Sequence, residues 1–423
     1  MNIKHRKTCR ICGNSNLKEI IDLGYQNLQG SFLKEGRGRT SLRKIPNKIV
    51  RCDVSKNENA CGLVQTLNTI PPKIMYSNYW YESNISKTMR DHLKLIVDKS
   101  LKFIPSPKRV LDIAMNDGTL LLNYNDGIEL FGVDPSDITK KAKEKYPQIK
   151  IYNDLFPCQE MQKDCLEGTF DIITSIACFY DLENPLDFCL NIEKLLSTKG
   201  VWIFEMAYLI DILENLCYDT FCSEHLSHYH LAPIEHLLNQ AGLRLVFAET
   251  NDVNGGSLCC YAVKNNNFDY DNEERSAALM ELRFKEFDLA LDEDKVYEDF
   301  KNRVVAQKYE LVKFVNEEII KKKKTLHLYG ASTKVNTLLG YCFGEDINKY
   351  IQYAAERSPE KYGAETLSGI KIISEDESRA MNPDYYLVGP WHFKKEILQR
   401  ETDAINSGIK FIFPLPKFSI EGK

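Results

Sequence analysis

The residue types best suited to chemistry here are Glu224 and His225, set in the segment Tyr218-Asp-Thr-Phe-Cys-Ser-Glu-His-Leu-Ser-His-Tyr229. A neutral imidazole accepts a proton near pH 7, and an adjacent carboxylate can orient it or raise its basicity. Glu224 also reads as a structural acid, because neighbours along an extended chain point to opposite sides. His228 and His230 read as surface or supporting positions. About 110 residues earlier, Val110-Leu-Asp-Ile-Ala-Met-Asn-Asp-Gly-Thr119 is an apolar run that ends in an acidic glycine turn. A base at one place and an acid-lined turn at another suggest a reaction that removes a proton from one molecule beside a second, cationic one.

A separate cluster has metal-ligand spacing. Cys9-Arg-Ile-Cys12 is a C-x2-C knuckle, and Cys52 and Cys61 form a later pair. Four thiolates make a closed tetrahedral zinc site with no open position for catalysis, so a structural Zn2+ is expected. The wide C-x8-C spacing leaves open a chance pair of reduced cysteines. Zinc would offset the small core available to about 60 surrounding residues.

The elements that position the base follow from apolar runs. Arg109–Ile113 reads as a buried parallel strand, Asn116-Asp-Gly-Thr119 as a turn into a helix, and Ile128–Val133 as the next strand, ending at Asp134. Asp112 and Asp134 are 22 residues apart. An acid about that far past a glycine turn suits a ribose diol. The turn has one glycine, Gly118, and no G-x-G-x-x-G, so the dinucleotide fingerprint is absent. The pattern fits the class I fold that binds S-adenosylmethionine, with Asp112, Asn116, Asp117, Gly118 and Asp134 around the donor and Asp154 near its adenine end. Each acid has the alternative of a helix cap or a solvated loop. Phe170–Ile176 and Gly200–Glu205 continue the alternation, which implies a doubly wound parallel sheet.

Beyond the polar stretch 265–274, Tyr297, Phe300, Val304, Leu311 and Val315 recur at helical spacing and lead to a solvated lysine run, Lys321–Lys324. Leu326–Ser332 and Asp384–Gly389 read as strands of a second, smaller α/β sheet. Gly330, Ser332, Thr333 and Lys334 could offer amides, hydroxyls and a cation to a diphosphate, or Gly330 could serve the turn alone. Glu356 suits a ribose or a base, and equally a solvated acid. The expected division is 1–70 zinc-binding, 71–265 methyltransferase and 266–423 a C-terminal α/β domain. Hydrophobic residues at 43% and charged residues at 27% match a globular chain of two or three domains. The net charge of −5 supplies no field for nucleic acid or anionic lipid, and no apolar run approaches a membrane span. Thirteen cysteines, an odd number spread through apolar segments, and a polar N-terminus point to the reducing cytoplasm. A monomer or small homo-oligomer is expected.

With these residues in hand, the chain resembles the three-domain nucleotide-sugar C-methyltransferases over nearly its whole length. The resemblance rests on Cys9/Cys12/Cys52/Cys61, Asn78-Tyr-Trp-Tyr-Glu-Ser83, Asn116-Asp-Gly118, Glu224-His225, Asn254-Gly-Gly-Ser257, Tyr329–Thr337, Ala355–Lys361 and Pro390-Trp-His-Phe393. It implies a nucleotide-linked 4-keto-deoxyhexose as acceptor, methylated at C3, with His225 as base. Tyr79 or Tyr81 would lie near the sugar, or merely pack beside Trp80. It further implies that Asn254, Ser257, Gly330, Ser332, Lys334, Asn336, Glu356 and Arg357 hold the substrate. Two departures stand out: Ala114-Met115 replaces a usual Gly-Ser, and Cys222 replaces a tyrosine able to donate to the keto oxygen. Methylation at oxygen or nitrogen, and a catalytically silent nucleotide-sugar-binding protein, remain the competing readings.

Overall fold

The computed structural model describes residues 3–27, 32–33, 44–76, 81–164 and 166–422. Near the N-terminus, β1 (Lys4–His5), β2 (Leu17–Asn27), β3 (Lys44–Cys52), β4 (Val64–Thr66) and β5 (Asn68–Thr69) form two small sheets. The cysteines lie where these strands meet. Cys9 Sγ is 3.5 Å from Cys61 Sγ, Cys12 Sγ is 3.5 Å from Cys52 Sγ, and all four sulfurs lie within 4.8 Å of one another. A zinc tetrahedron with bonds of about 2.3 Å needs sulfurs roughly 3.8 Å apart, so the donor set fits the ion. The insert between Cys52 and Cys61 exposes Ser55, Lys56, Glu58 and Asn59, which lets two distant ligands converge.

The central sheet contains β6 (Arg109–Ile113), β7 (Glu129–Val133), β8 (Ile149–Tyr152), β9 (Phe170–Ile176) and β10 (Leu196–Ala207). After a two-residue strand, β11 (Ser227–His228), come β12 (Leu243–Asn251) and β13 (Ser257–Lys264). Their order is β12-β13-β10-β9-β6-β7-β8. Helices Lys87–Phe103, Pro185–Leu195, Leu231–Gln240 and Glu273–Asp288 accompany the sheet. Both faces of β6 and β9 are therefore covered, which is why successive residues of these strands are buried rather than alternating with exposed ones. The strand order reverses between β6 and β9, and a crevice opens there at the carboxyl ends.

Two expectations need correction. The sheet is mixed rather than all parallel: β13 runs antiparallel to both β10 and β12. The link from β12 to β13 is too short for a crossover and turns at Asn254, Gly255 and Gly256, all at positive φ. The donor turn also leads into no α-helix. Only a 3-10 turn, Leu121–Asn123, lies between β6 and β7. Asp117 accepts from the Thr119 amide and hydroxyl, and the polar run Asn123–Gly127 follows too soon for more than one turn. Met115 takes up space at this turn: its side chain covers Gly132 on β7, where a Cβ would lie 2.0 Å from the sulfur.

The C-terminal sheet contains β14 (Leu326–Tyr329), β15 (Ile351–Glu356), β16 (Lys371–Ser374), β17 (Tyr385–Val388), β18 (Lys410–Phe413) and β19 (Ser419–Glu421), in the order β16-β15-β14-β17-β18-β19. Helix Lys295–Phe314 buries Tyr297, Phe300, Val304 and Leu311, as their spacing predicts. No described helix is long and apolar enough to cross a membrane.

Two outcomes are expected from this packing. Metal analysis should find about one zinc per chain, lost in the Cys9→Ser/Cys12→Ser double variant; a folded wild type without metal would refute the site. Gly132→Ala should destabilise the chain by roughly 1–3 kcal/mol, the usual cost of overpacking, and Met115→Ala in the same chain should restore much of it. Equal denaturation midpoints for Gly132→Ala and wild type would refute the close approach.

Candidate functional site

A cleft of about 670 Å³ runs from the ends of β6 and β7 to the start of helix Thr333–Phe343 in the C-terminal unit. One end is acidic. Asp112 closes β6 as a buried acid in an apolar strand, and its carboxylate accepts from Thr174 Oγ1 at 2.6 Å. Burial first, and then the charges of Asp134 and Asp117, push its pKa up to about 7. Asp134 sits just past β7. Its Oδ1 accepts from the Ser136 amide and hydroxyl, and its Oδ2 accepts from the Asn116 amide at 3.1 Å. Asn116 is held in turn by the Ser83 amide and the Tyr81 carbonyl. Ala114 and Asn116 both adopt positive φ, the backbone that a glycine would take without strain. Asp154 lines the same end, whereas Asp117 and Gly118 shape the turn behind it.

The base candidate sits in the middle. The chain at Glu224-His225 is bent rather than extended, so both side chains line the cleft, and ligand atoms of Cys222, Glu224 and His225 lie within 4.8 Å of one another. Adjacent side chains thus share a face, contrary to the alternation of a strand. His225 Nδ1 is 2.9 Å from the Thr220 carbonyl. A carbonyl only accepts, so Nδ1 carries the hydrogen and Nε2 is the basic nitrogen. The orienting group is therefore a backbone carbonyl and not Glu224. Burial, followed by the Lys334 charge, depresses the imidazole to about 3, which keeps it neutral at pH 7. Burial raises Glu224 to about 7, and its Oε1 has no partner.

The cleft also contains groups that single residues in sequence did not signal. Asp181 lines it with Oδ1 unpartnered, and burial and the charge of Glu224 push its carboxyl well above the ordinary range. Tyr180 lays its ring 4.2 Å from that of His225. His392, half-buried and with Nδ1 unpartnered, faces the same space, as do Phe393 and Lys361. Glu205, at the carboxyl end of β10, is held between His92 Nε2 and Asn251 Nδ2, each at 2.8 Å. A strand ending in an acid was the one available hint for Glu205. His228 and His230 are buried rather than superficial, and His230 Nδ1 is 3.2 Å from Glu286.

On the C-terminal side, Asn254, Ser257, Ser332, Lys334, Glu356 and Arg357 line the cleft. Ser332 caps helix Thr333–Phe343 through the Val335 amide, and Lys334 Nζ donates to the Asn254 carbonyl at 2.7 Å. Three sequence expectations change. Glu356 is not free for a ribose: its carboxylate takes the Ala331, Arg357 and Ser358 amides and the Lys361 ammonium. Gly330 is in the turn behind the cleft, at φ +84°, where a Cβ would lie 2.6 Å from Pro390. Asn336 points away into a small void with Tyr25 and Gln26, since two residues along a helix turn a side chain to the far side. Tyr81 lines the donor end of the cleft, and Tyr79 lies outside the described residues.

Comparison with known proteins agrees with this organisation. Residues 9–76 match a family model described as "Putative zinc binding domain", residues 81–247 match "Methyltransferase domain", and residues 252–416 match "C-methyltransferase C-terminal domain". The chain is similar to the C-methyltransferase NovU of Streptomyces niveus, at 26% identity over 420 residues, 97% of this chain and 95% of the relative. Among solved structures, the PH0226 protein of Pyrococcus horikoshii aligns at 17% identity over 44% of this chain and 94% of that one, with a TM-score of 0.36. The 1,6-didemethyltoxoflavin-N1-methyltransferase of Burkholderia thailandensis aligns at 12% identity over 42% and 78%, with a TM-score of 0.33. From the sulfur cluster, the strand order and three successive family matches, the chain carries in order a zinc-binding domain, a methyltransferase domain and a C-methyltransferase C-terminal domain, and is an S-adenosylmethionine-dependent methyltransferase.

Proposed function

We propose that this enzyme methylates carbon beside the ketone of a nucleotide-linked 4-keto-deoxyhexose, with His225 as the general base. The observation that carries the reading is the tautomer: Thr220 holds the hydrogen on Nδ1, so Nε2 of a neutral imidazole is available at the centre of the cleft. The charge distribution supports the choice of substrates. The end lined by Asp112 and Asp134 suits a sulfonium, and the end with Ser332, Thr333, Lys334 and Arg357 suits a diphosphate at a helix N-terminus. When bound, S-adenosylmethionine supplies a methyl group activated by the positive sulfur.

His225 Nε2 takes the proton from the carbon next to the ketone, and the electron pair moves onto the carbonyl oxygen. Glu224, within 4.8 Å, offsets the charge of the imidazolium as it forms. Asp181, whose proton affinity is raised by burial and the charge of Glu224, lines the same cleft and would donate to the enolate oxygen, the task left open by Cys222. The enolate carbon forms the new C–C bond as the C–S bond breaks, and the neutral thioether leaves. Burial of His225 and Glu224 limits the access of water to the carbanion.

Two measurements test this reading. His225→Asn should lower turnover by roughly 100- to 10,000-fold in a mass-spectrometric screen of keto-sugar nucleotides, with donor affinity preserved. The wild type should also exchange deuterium into the carbon beside the ketone, and methylation without loss of a carbon-bound proton would redirect the reading to oxygen or nitrogen. Donor binding should depend on pH through Asp112. Its pKa of about 7 in the free protein is lowered once a cation binds, so affinity is full above pH 7 and weakens as pH falls below it, by up to ~10-fold per unit. S-adenosylhomocysteine, which lacks the sulfonium, should show a flatter profile. Calorimetry that gives parallel profiles for the two ligands would remove Asp112 from sulfonium recognition.

A further inference from the structure

Between two of the zinc-ligating cysteines lies Arg10, whose guanidinium is completely buried and points away from the sulfurs. Its Nη1 donates to the carbonyls of Thr66 at 2.5 Å and Leu226 at 3.1 Å. Nη2 donates to Thr69 Oγ1 at 2.8 Å, and Nε reaches Glu183 Oε2 at 3.4 Å. The backbone amide of Arg10 is held by Gln65 Oε1 at 2.9 Å. Two of these partners flank the reaction centre. Leu226 follows His225 directly, and its amide donates to the Tyr180 carbonyl at 2.9 Å. Glu183 ends the segment that carries Tyr180 and Asp181, and it also binds Arg6, Lys4 and Thr69. One planar fork thus joins both walls of the base pocket to a turn whose shape depends on Cys9 and Cys12.

We propose that Arg10 is a positioning residue through which the zinc knuckle sets the placement of His225, so that the metal controls the base as well as the stability of its own domain. The inference rests on His225 being the base only where it concerns turnover. The geometric part stands separately. A guanidinium presents five donors in a rigid plane, and an ammonium cannot reproduce bonds to Thr66, Leu226, Thr69 and Glu183 together. Loss of the metal frees the turn between Cys9 and Cys12, and with it the anchor of this fork.

The test compares zinc-loaded wild type, Arg10→Lys and Glu183→Gln. Glu183→Gln leaves the knuckle untouched and serves if Arg10→Lys loses metal. Three properties are read: zinc content, S-adenosylmethionine affinity by calorimetry, and the 15N signals of the His225 imidazole, assigned with His225→Asn. Both variants should retain zinc and bind S-adenosylmethionine within about twofold of wild type, because the donor acids lie on other elements. The His225 signals should move in both, and chelation of zinc from wild type should move them in the same direction. With a keto-sugar nucleotide found active in the screen, kcat should fall by roughly 10- to 100-fold, the scale expected when a base is displaced by about an ångström. Unchanged His225 signals in a zinc-loaded variant would overturn the proposal. Shifted signals with unchanged kcat would keep the coupling and remove His225 as base.

Discussion

Ser227 pairs with Gln65 and His228 with Val64, so β11 is the edge strand of the zinc-knuckle sheet although it lies more than 150 residues away in the chain. The segment that carries His225 thus leaves the methyltransferase sheet, adds a strand to the N-terminal sheet, and returns through helix Leu231–Gln240. Its register determines what faces the cleft. A slip of one residue along β4 would exchange the two faces of β11 and carry His225 with it. Two ladder residues are too few to hold such a register alone, and the Thr66 amide and the Arg10 fork on the Leu226 carbonyl reinforce it. The small N-terminal unit therefore holds the backbone next to His225.

The electrostatics of the cleft follow the same division of labour. At one end buried Asp112 has raised proton affinity because it loses water and feels the charges of Asp134 and Asp117. A cation offsets that repulsion better than a neutral ligand does. At the other end, Lys334 and Arg357 accompany the amino end of a helix, an arrangement for anions. Between them burial keeps His225 neutral at pH 7 and raises the proton affinity of Asp181 and Glu224.

The altered donor turn is accommodated rather than broken. Ala114 takes a left-handed backbone that costs of order 1 kcal/mol without glycine, and Met115 fills the space above Gly132. No helix follows the turn, so no helix dipole points at the donor, and the surrounding carboxylates supply the field there.

The sequence alone determined whatever depends on neighbours along the chain. The buried strands are unbroken apolar runs, Asp112 and Asp134 stand at strand ends, and the C-x2-C knuckle is a local turn, so each could be read from a few residues. The resemblance located His225 and the cleft residues Lys334 and Asn254. The tertiary structure decided what depends on partners far apart or on groups with no signature. The Thr220 carbonyl that selects the imidazole tautomer is common to every residue type, and so cannot be seen in a sequence. Arg10 carries no signal of its own in the sequence, and only folding brings its fork to Leu226 and Glu183. Asn336 and Lys334 belong to one motif, yet the turn of the helix puts only Lys334 in the cleft. Glu356 looked free, and only folding brought three amides and an ammonium to its carboxylate. Local periodicity encodes elements, whereas the pairing of β4 with β11 is a long-range contact, and that contact holds the segment that follows His225.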